Sequence, residues 1–342
     1  MKIIVVGQGI AGTLLAHTLL KRQQEVVVID PGKSNSASKV AAGIINPITG
    51  RRFVKSWRYE EFIEFAKPVY QELEQQLSLD FYHEFNLIRA LNNNKQETEW
   101  LLRGTYPSYE SYLIDKAELG AYANRVQPAY AWAELTGSAQ VNIAALVTAY
   151  RKVLQAKDCL IEEQLDHSQL ELTDGMVRYR GITADRIVFC EGYQSRNNPF
   201  FSHLIHEPAK GEALIVRIPG LQTTKMLKSK TFLVPVGEEQ FWVGSNYEWE
   251  FADDLPTDIV KQKLLSNLES YLTVDYEVLA HKAAVRPVFK DRRPKVGAHQ
   301  EYRQVYLFNG LGTKGASLAP FWADHLVRHL VDGGLLDIEV AF

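Results

Sequence analysis

A chain of 342 residues, 46% hydrophobic and 23% charged, has the composition of a folded globular protein and is long enough for two domains. Its formal net charge of −3 gives no global field that would favour nucleic acid or an anionic membrane. Its two cysteines, Cys159 and Cys190, exclude a disulfide framework and a cysteine metal centre, and a reducing cytoplasmic compartment is the expectation.

Residues 2–6 (KIIVV) are a short apolar run that reads as a buried strand. The run is too short for a signal peptide and breaks at glycines, and no stretch of the chain reaches the length of a membrane span. Gly7-Gln8-Gly9-Ile10-Ala11-Gly12 follows at once, residues 13–22 read as a helix, and residues 25–29 (EVVVI) form a second buried strand ending at Asp30. Strand, glycine turn, helix, strand and acid together are the fingerprint of a dinucleotide-binding fold. Gly7 allows the tight turn, Gly9 lets a pyrophosphate approach the backbone, and Gly12 lets the helix pack close to the sheet. The helix N-terminus offers free N–H groups to the phosphates. Asp30, roughly 20 residues beyond the glycines, is placed to accept hydrogen bonds from a ribose diol. An acid there disfavours a ribose phosphate, so FAD or NAD fits better than NADP.

Residues 31–52 are loop-rich and contain Ala41-Ala42-Gly43-Ile44-Ile45-Asn46-Pro47, small and apolar enough to wall a flat cofactor. Arg51, Arg52, Lys55 and Arg58 alternate with Phe53, Trp57 and Tyr59. Such a mixture can bind RNA, but a run this short reads as a solvated face or a rim that attracts anions. Residues 59–77 have helical period, with Phe62, Phe65, Val69, Leu73 and Leu77 on one face. Residues 81–91 and 106–132 read as strands and loops of a second domain, and residues 142–154 as a helix. Residues 159–172 read as strand, turn and strand, the hairpin continuing towards Arg180. Residues 185–190 (DRIVFC) are another core strand, followed by Glu191-Gly192-Tyr193. Residues 210–217, 231–236 and 240–245 read as antiparallel strands, and 258–272 as a helix with Leu264, Leu265, Leu268 and Leu272 on its apolar face. After AVRP at 284–287, Asp291 and PKVG at 294–297 comes a strand at 304–308. Asn309-Gly310-Leu311-Gly312-Thr313-Lys314-Gly315 then runs into a helix at 316–330. This repeats the strand–glycine–helix arrangement of the N-terminus, so a cofactor would be held from both ends of the chain. His203, His206, His281 and His299 show no metal-ligand spacing, and no Ser-His-Asp signature stands out.

The GQGIAG turn with Asp30, the AAGIINP segment, IVFCEGY, RPVFKDRRPKVG and FNGLGTKGASLAP together resemble the FAD-dependent D-amino acid oxidase superfamily. The nearest likeness is to its glycine oxidase, sarcosine oxidase and tRNA-modifying oxidoreductase branch. The resemblance implies an α/β fold: a Rossmann-like FAD-binding domain from residues 1–80, 138–200 and 286–342, and a second antiparallel-sheet (α+β) substrate domain from 81–137 and 201–285. It implies hydride removal from a carbon bearing an amine, in an amino acid or small N-substituted amine, with hydrolysis of the imine. By position, the family's FAD contacts fall on Gly7, Gly9, Ile10, Ala11, Gly12, Asp30, Ala42, Gly43, Ile44, Leu165, Gly192, Gly310, Leu311, Gly312, Thr313, Lys314 and Gly315.

Arg286 matches the arginine that pairs with a substrate carboxylate in glycine oxidase-like relatives; the competing role is a structural arginine neutralising Asp291. Tyr247, with Trp249 nearby, matches the aromatic side chains of the covering sheet. Lys314 stands where relatives have a neutral polar group, and could stabilise reduced flavin, bind an acidic substrate, or simply be a solvated lysine at a helix start. The strand 241–245 carries no lysine, unlike the oxygen-assisting strand of sarcosine oxidase relatives, which leaves a dehydrogenase with another acceptor open. The partner expected is a small-molecule substrate carrying a carboxylate, not nucleic acid. Two rivals remain, a flavin dehydrogenase of a hydroxy acid or polyol and a non-catalytic flavin-binding subunit. Oligomeric state has no signal in the sequence.

Overall fold

Short apolar strands build the first sheet of the computed structural model, which describes residues 1–173 and 175–342. Its order is Leu160–Ile161, Glu25–Ile29, Lys2–Val6, Arg186–Phe189, Val305–Asn309 and Lys295–Ala298. The first five run parallel and the last is antiparallel. A parallel sheet covered on both faces needs strands apolar throughout, and KIIVV and RIVF meet that need. Helices Ile10–Lys21, Tyr59–Leu77, Ile143–Ala156 and Gly315–Asp332 pack on one face. A small antiparallel sheet, Leu170–Thr173, Met176–Tyr179 and Ile182–Ala184, packs on the other together with Phe201.

The second sheet has eight strands in the order Glu277–Arg286, Ala209–Arg217, Gln240–Gly244, Phe232–Gly237, Lys225–Lys228, Asn86–Leu91, Ala131–Leu135 and Leu113–Ile114. Every pairing is antiparallel except Lys225–Lys228 beside Asn86–Leu91. Leu214, Val216, Leu233, Phe241 and Val243 turn one face onto helix Asp258–Glu269 through Val260, Leu264 and Leu268. The alternate residues, Ala213, Val234, Trp242 and Ala133 among them, turn the other way onto Ala42, Ile48 and Phe53. The functional cavity opens on that side.

Several elements differ from the sequence reading. Leu160–Ile161 does not pair into the hairpin that follows it; it extends the parallel sheet, where Val28 N–H and Asp30 N–H donate to Cys159 and Ile161 carbonyls at 2.7 and 3.0 Å. Helix Asn94–Gly104 is unannounced by periodicity because it buries only Trp100, and its start is set by the Asn93 side chain accepting from Gln96 N–H at 3.0 Å. Helix Tyr59–Leu77 buries Tyr59, Ala66 and Tyr70 beside Phe62 and Leu73, leaving Phe65 and Val69 at its rim. The face is turned by Tyr70, whose hydroxyl donates to the Ala316 carbonyl at 2.6 Å. Among the described residues, no helix is long and apolar enough to cross a membrane, and no group of three or more His, Cys, Asp or Glu is placed to hold a metal ion.

Candidate functional site

Strand Lys2–Val6 ends at Gly7, where φ is +97° and an added Cβ would lie 2.5 Å from the Cys190 carbonyl oxygen. Only glycine fits that approach of two strand ends. Helix Ile10–Lys21 begins at Gly9 with no side-chain cap and no acid in its first turn; Ile10 N–H donates to Ser38 Oγ at 2.9 Å. Helix Gly315–Asp332 likewise begins without a side-chain cap or a first-turn acid. Residues at both helix starts line one cavity of about 680 Å³, which continues along the face of the second sheet to Tyr247 and Arg286. Two uncapped helix N-termini directed at one cavity make it receptive to an anion.

The carboxylate of Asp30 lines the same cavity and accepts from Gln8 N–H at 2.8 Å, Gly32 N–H at 2.7 Å and Arg151 Nη1 at 2.8 Å. Arg151 was not singled out in the sequence, since nothing along its helix marks it as reaching a distant loop. Asn309 ties two loops of the cavity together, donating from Nδ2 to the Gly192 carbonyl at 2.8 Å and to Ser195 Oγ at 2.5 Å. Of the residues expected at a cofactor, Gly7, Gly9, Ile10, Ala11, Asp30, Ala42, Gly43, Ile44, Leu165, Gly192, Leu311, Gly312, Thr313, Lys314 and Gly315 all line the cavity. Gly12 and Gly310 do not. A Cβ on Gly12 would stand 1.8 Å from the Gly7 carbonyl oxygen, so this glycine sets the helix against the strand. A Cβ on Gly310, whose φ is +80°, would strike the Phe289 ring at 2.3 Å, so this glycine makes room for packing. An elongated cavity with an acid near one end and two open helix N-termini along it fits a dinucleotide with a pyrophosphate centre, and so fits FAD.

At the other end, the Arg286 guanidinium lies flat over Gly211, its Nη2 only 2.0 Å from where a Cβ would be. Nη2 donates to Ser245 Oγ at 2.5 Å and to the Asn246 carbonyl at 3.2 Å; Nη1 donates to the Ala209 and Lys210 carbonyls at 3.4 and 3.3 Å. The Tyr247 ring covers it at 4.2 Å. Among the described residues no carboxylate lies within ion-pair reach of Arg286. Asp291 pairs instead with Lys295 at 2.6 Å, which removes the reading of Arg286 as its counter-ion. Burial pushes the guanidinium below its usual pKa, opposed by Tyr247. Gly211 was missed in the sequence; its only signal is a glycine inside a strand, which marks close approach without saying of what.

Tyr247 lines the cavity at 53% exposure and stacks on Trp249, ring centroids 6.1 Å apart. Lys314 is not a solvated lysine: it is partly buried, and its Nζ donates to Ser56 Oγ at 3.1 Å. Burial, then the charge of Arg293, lowers its pKa. The basic run is not one face. Arg58 is tied to Glu61, Asp337 and Glu339 at 2.5, 2.7 and 3.3 Å amid the rings of Trp57, Phe62, Phe321 and Trp322. Lys55 pairs with Glu60 at 2.5 Å, while Arg51 and Arg52 are exposed.

Comparison with known proteins agrees with this geometry. The family of FAD-dependent oxidoreductases designated DAO matches residues 2–329. The chain is 24% identical to a glycine oxidase of Pseudomonas aeruginosa, covering 93% of this chain and 92% of that protein. It is 25% identical to the tRNA 5-methylaminomethyl-2-thiouridine biosynthesis bifunctional protein MnmC of Marinobacter nauticus, covering 96% of this chain and 55% of that protein. Among solved structures, a glycine oxidase from Geobacillus kaustophilus superimposes with a TM-score of 0.82 at 22% identity, over 98% of this chain and 95% of that one. An iminodiacetate oxidase from Chelativorans sp. BNC1 gives 0.81 at 19% identity, over 98% and 96%. At these identities the structural likeness is one of fold.

Proposed function

The chain belongs to the FAD-dependent oxidoreductase (DAO) family, and on that premise we propose that it oxidises the C–N bond of a carboxylate-bearing amino acid or small N-substituted amine. The observation that carries this reading is Arg286, a partly buried guanidinium that lines the cavity with no acid in ion-pair reach among the described residues. A planar guanidinium binds a carboxylate through paired hydrogen bonds, and shielding from water strengthens the pair. Ser245 and the carbonyls of Ala209, Lys210 and Asn246 hold the group before substrate arrives, so little ordering is left to be done on binding. Tyr247 covers it on the open side and limits water access.

The residues that would hold the cofactor are Gly7, Gly9, Ile10, Ala11, Asp30, Ala42, Gly43, Ile44, Leu165, Gly192, Leu311, Gly312, Thr313, Lys314 and Gly315, all of which line the cavity. All of them fall in an FAD-binding unit of residues 1–80, 138–200 and 286–342, which a second unit of 81–137 and 201–285 covers. Bound FAD supplies the two-electron acceptor for the hydride that leaves the carbon next to nitrogen. Lys314 and the N-terminus of helix Gly315–Asp332 add positive potential on that side of the cavity. Its two cysteines are free, one buried and one partly so, which suits a reducing compartment such as the cytoplasm. The substrate is a small molecule on this reading, because Lys55 and Arg58 are engaged within the protein.

The direct test is the visible spectrum of the purified holoprotein, before and after anaerobic addition of a mixture of amino acids and N-alkylglycines. The expected result is loss of the flavin colour, and subdivision of the mixture then isolates the substrate. A yellow protein bleached only by hydroxy acids, or by nothing, would refute C–N oxidation.

A further inference from the structure

A second cationic site stands on the cavity side of the second sheet. Arg89 lines the cavity, and Lys228 is its register partner on the neighbouring strand. Register partners project from the same face of a sheet. The row runs Ala213, Gly244, Phe232, Lys228, Arg89 across five strands, and Ala213 and Phe232 both line the cavity. The opposite face of the same strands is the one closed by helix Asp258–Glu269.

Neither cation has an acid within ion-pair reach among the described residues. Arg89 donates from Nη2 to the Gly50 carbonyl at 2.9 Å and lies over the Phe53 ring at 4.7 Å. Lys228 donates from Nζ to the Lys230 carbonyl at 3.1 Å and lies over the Phe232 ring at 4.6 Å. Both side chains are partly buried. Other shielded lysines of this sheet are neutralised: Lys225 by Glu134 at 2.8 Å and Lys210 by Glu212 at 3.5 Å. Burial, then repulsion from Arg89, lowers Lys228 to a pKa of about 8, and burial lowers Arg89 to about 10. Two adjacent like charges held away from water are costly to keep until an anion joins them.

We propose that Arg89 and Lys228 bind a second anionic group of the substrate, which is therefore an amino acid extended by an arm ending in a carboxylate or a phosphate. This rests on the C–N oxidation reading, with the first carboxylate at Arg286. The spacing sets the length of the arm. Arg286 lies over strand Ala209–Arg217, and Lys228 leans over Phe232, two strands further across. At about 4.8 Å per strand, with about 3.4 Å per residue for the two-residue step from Gly211 to the row of Ala213, this is roughly 12 Å. A compact diacid with both carboxylates close to one nitrogen is too short to reach both sites.

The test uses the holoenzyme and a series of N-alkylglycines of graded length, whose arms end in a carboxylate, a phosphonate or a neutral ester. With the long arms, kcat/KM is expected to favour an anionic end over the ester by about tenfold or more, and the carboxylate and phosphonate members separate the two anion chemistries. In the Arg89→Gln/Lys228→Met double variant the ratio of anionic to neutral arm falls to about one. Equal rates for anionic and neutral arms in the wild type, or a preference that survives the double variant, would overturn the proposal. Calorimetric binding of linear α,ω-dicarboxylates against the matching monocarboxylates tests the pair without turnover; equal affinity counts against it. If no member of the series is oxidised while the dicarboxylates bind more tightly, the C–N reading fails and the anion pair stands.

Discussion

A guanidinium shielded from water needs a counter-charge, and among the described residues Arg286 has carbonyls, a hydroxyl and an aromatic face around it and no carboxylate within ion-pair reach. Its loss should therefore be felt by the substrate more than by the fold. Removing one partner of a buried charge pair costs about 2–5 kcal/mol, so Arg286→Ala should raise KM by roughly 30-fold or more, with a smaller change in kcat and FAD still bound. Steady-state kinetics with the substrate found by bleaching checks this, and a KM within about threefold of wild type would end the assignment of Arg286 to the carboxylate. Arg286 was visible in the sequence because it lies in a motif run that continues into the second glycine loop. The residues that hold it were not visible. Gly211 lies within another strand and Ser245 just past the end of a third, and their relation to Arg286 exists only once the sheet register is set. Arg151 on Asp30 is the same case, a polar position on an amphipathic helix whose partner is far away in sequence.

Elements were legible where the physics is local. The strand–turn–helix at the N-terminus is consecutive in sequence, and the buried runs around it allow only a parallel sheet with both faces covered. Gly12 carries a consequence at this scale. The atom a Cβ would meet at 1.8 Å belongs to the Gly7 backbone, so no rotamer change relieves the contact and the helix must leave the strand. Gly12→Ala should lower stability by about 1–3 kcal/mol or more and reduce the FAD retained through purification, because the helix start at Gly9 moves with it. Thermal midpoint and flavin-to-protein absorbance ratio read the two effects; both unchanged would mean the packing is looser than the geometry states. Elements escaped the sequence where one contact decides them. Helix Asn94–Gly104 rests on Trp100 alone, and the edge strand Leu160–Ile161 on backbone bonds to Glu25–Ile29 that no side-chain pattern encodes.

The two sheets meet across a cavity, and a group buried at that junction links the stability of the whole molecule to pH. Glu191 follows strand Arg186–Phe189, lines the cavity and is 4% exposed in its side chain. Burial raises its pKa to about 7, opposed by Asn198 Nδ2 donating to Oε2 at 2.7 Å; His167 Nε2 stands 3.6 Å away, its own pKa lowered by burial. In the unfolded chain a glutamate ionises near 4.5. Between about 4.5 and about 7 the folded state therefore holds a proton that the unfolded state has released. Its contribution to stability is fully present below the unfolded pKa and is lost as pH rises through the folded one, with a slope of at most about 1.4 kcal/mol per pH unit. The Gln side chain keeps the Asn198 contact and cannot ionise, so Glu191→Gln should equal the wild type near the acid end of this window and exceed it in stability by pH 8. Urea midpoints of both proteins, saturated with FAD and measured across that range, decide it. Parallel curves would mean that water or a shift of His167 solvates the carboxylate, and that the junction between the sheets is wetter than its burial implies.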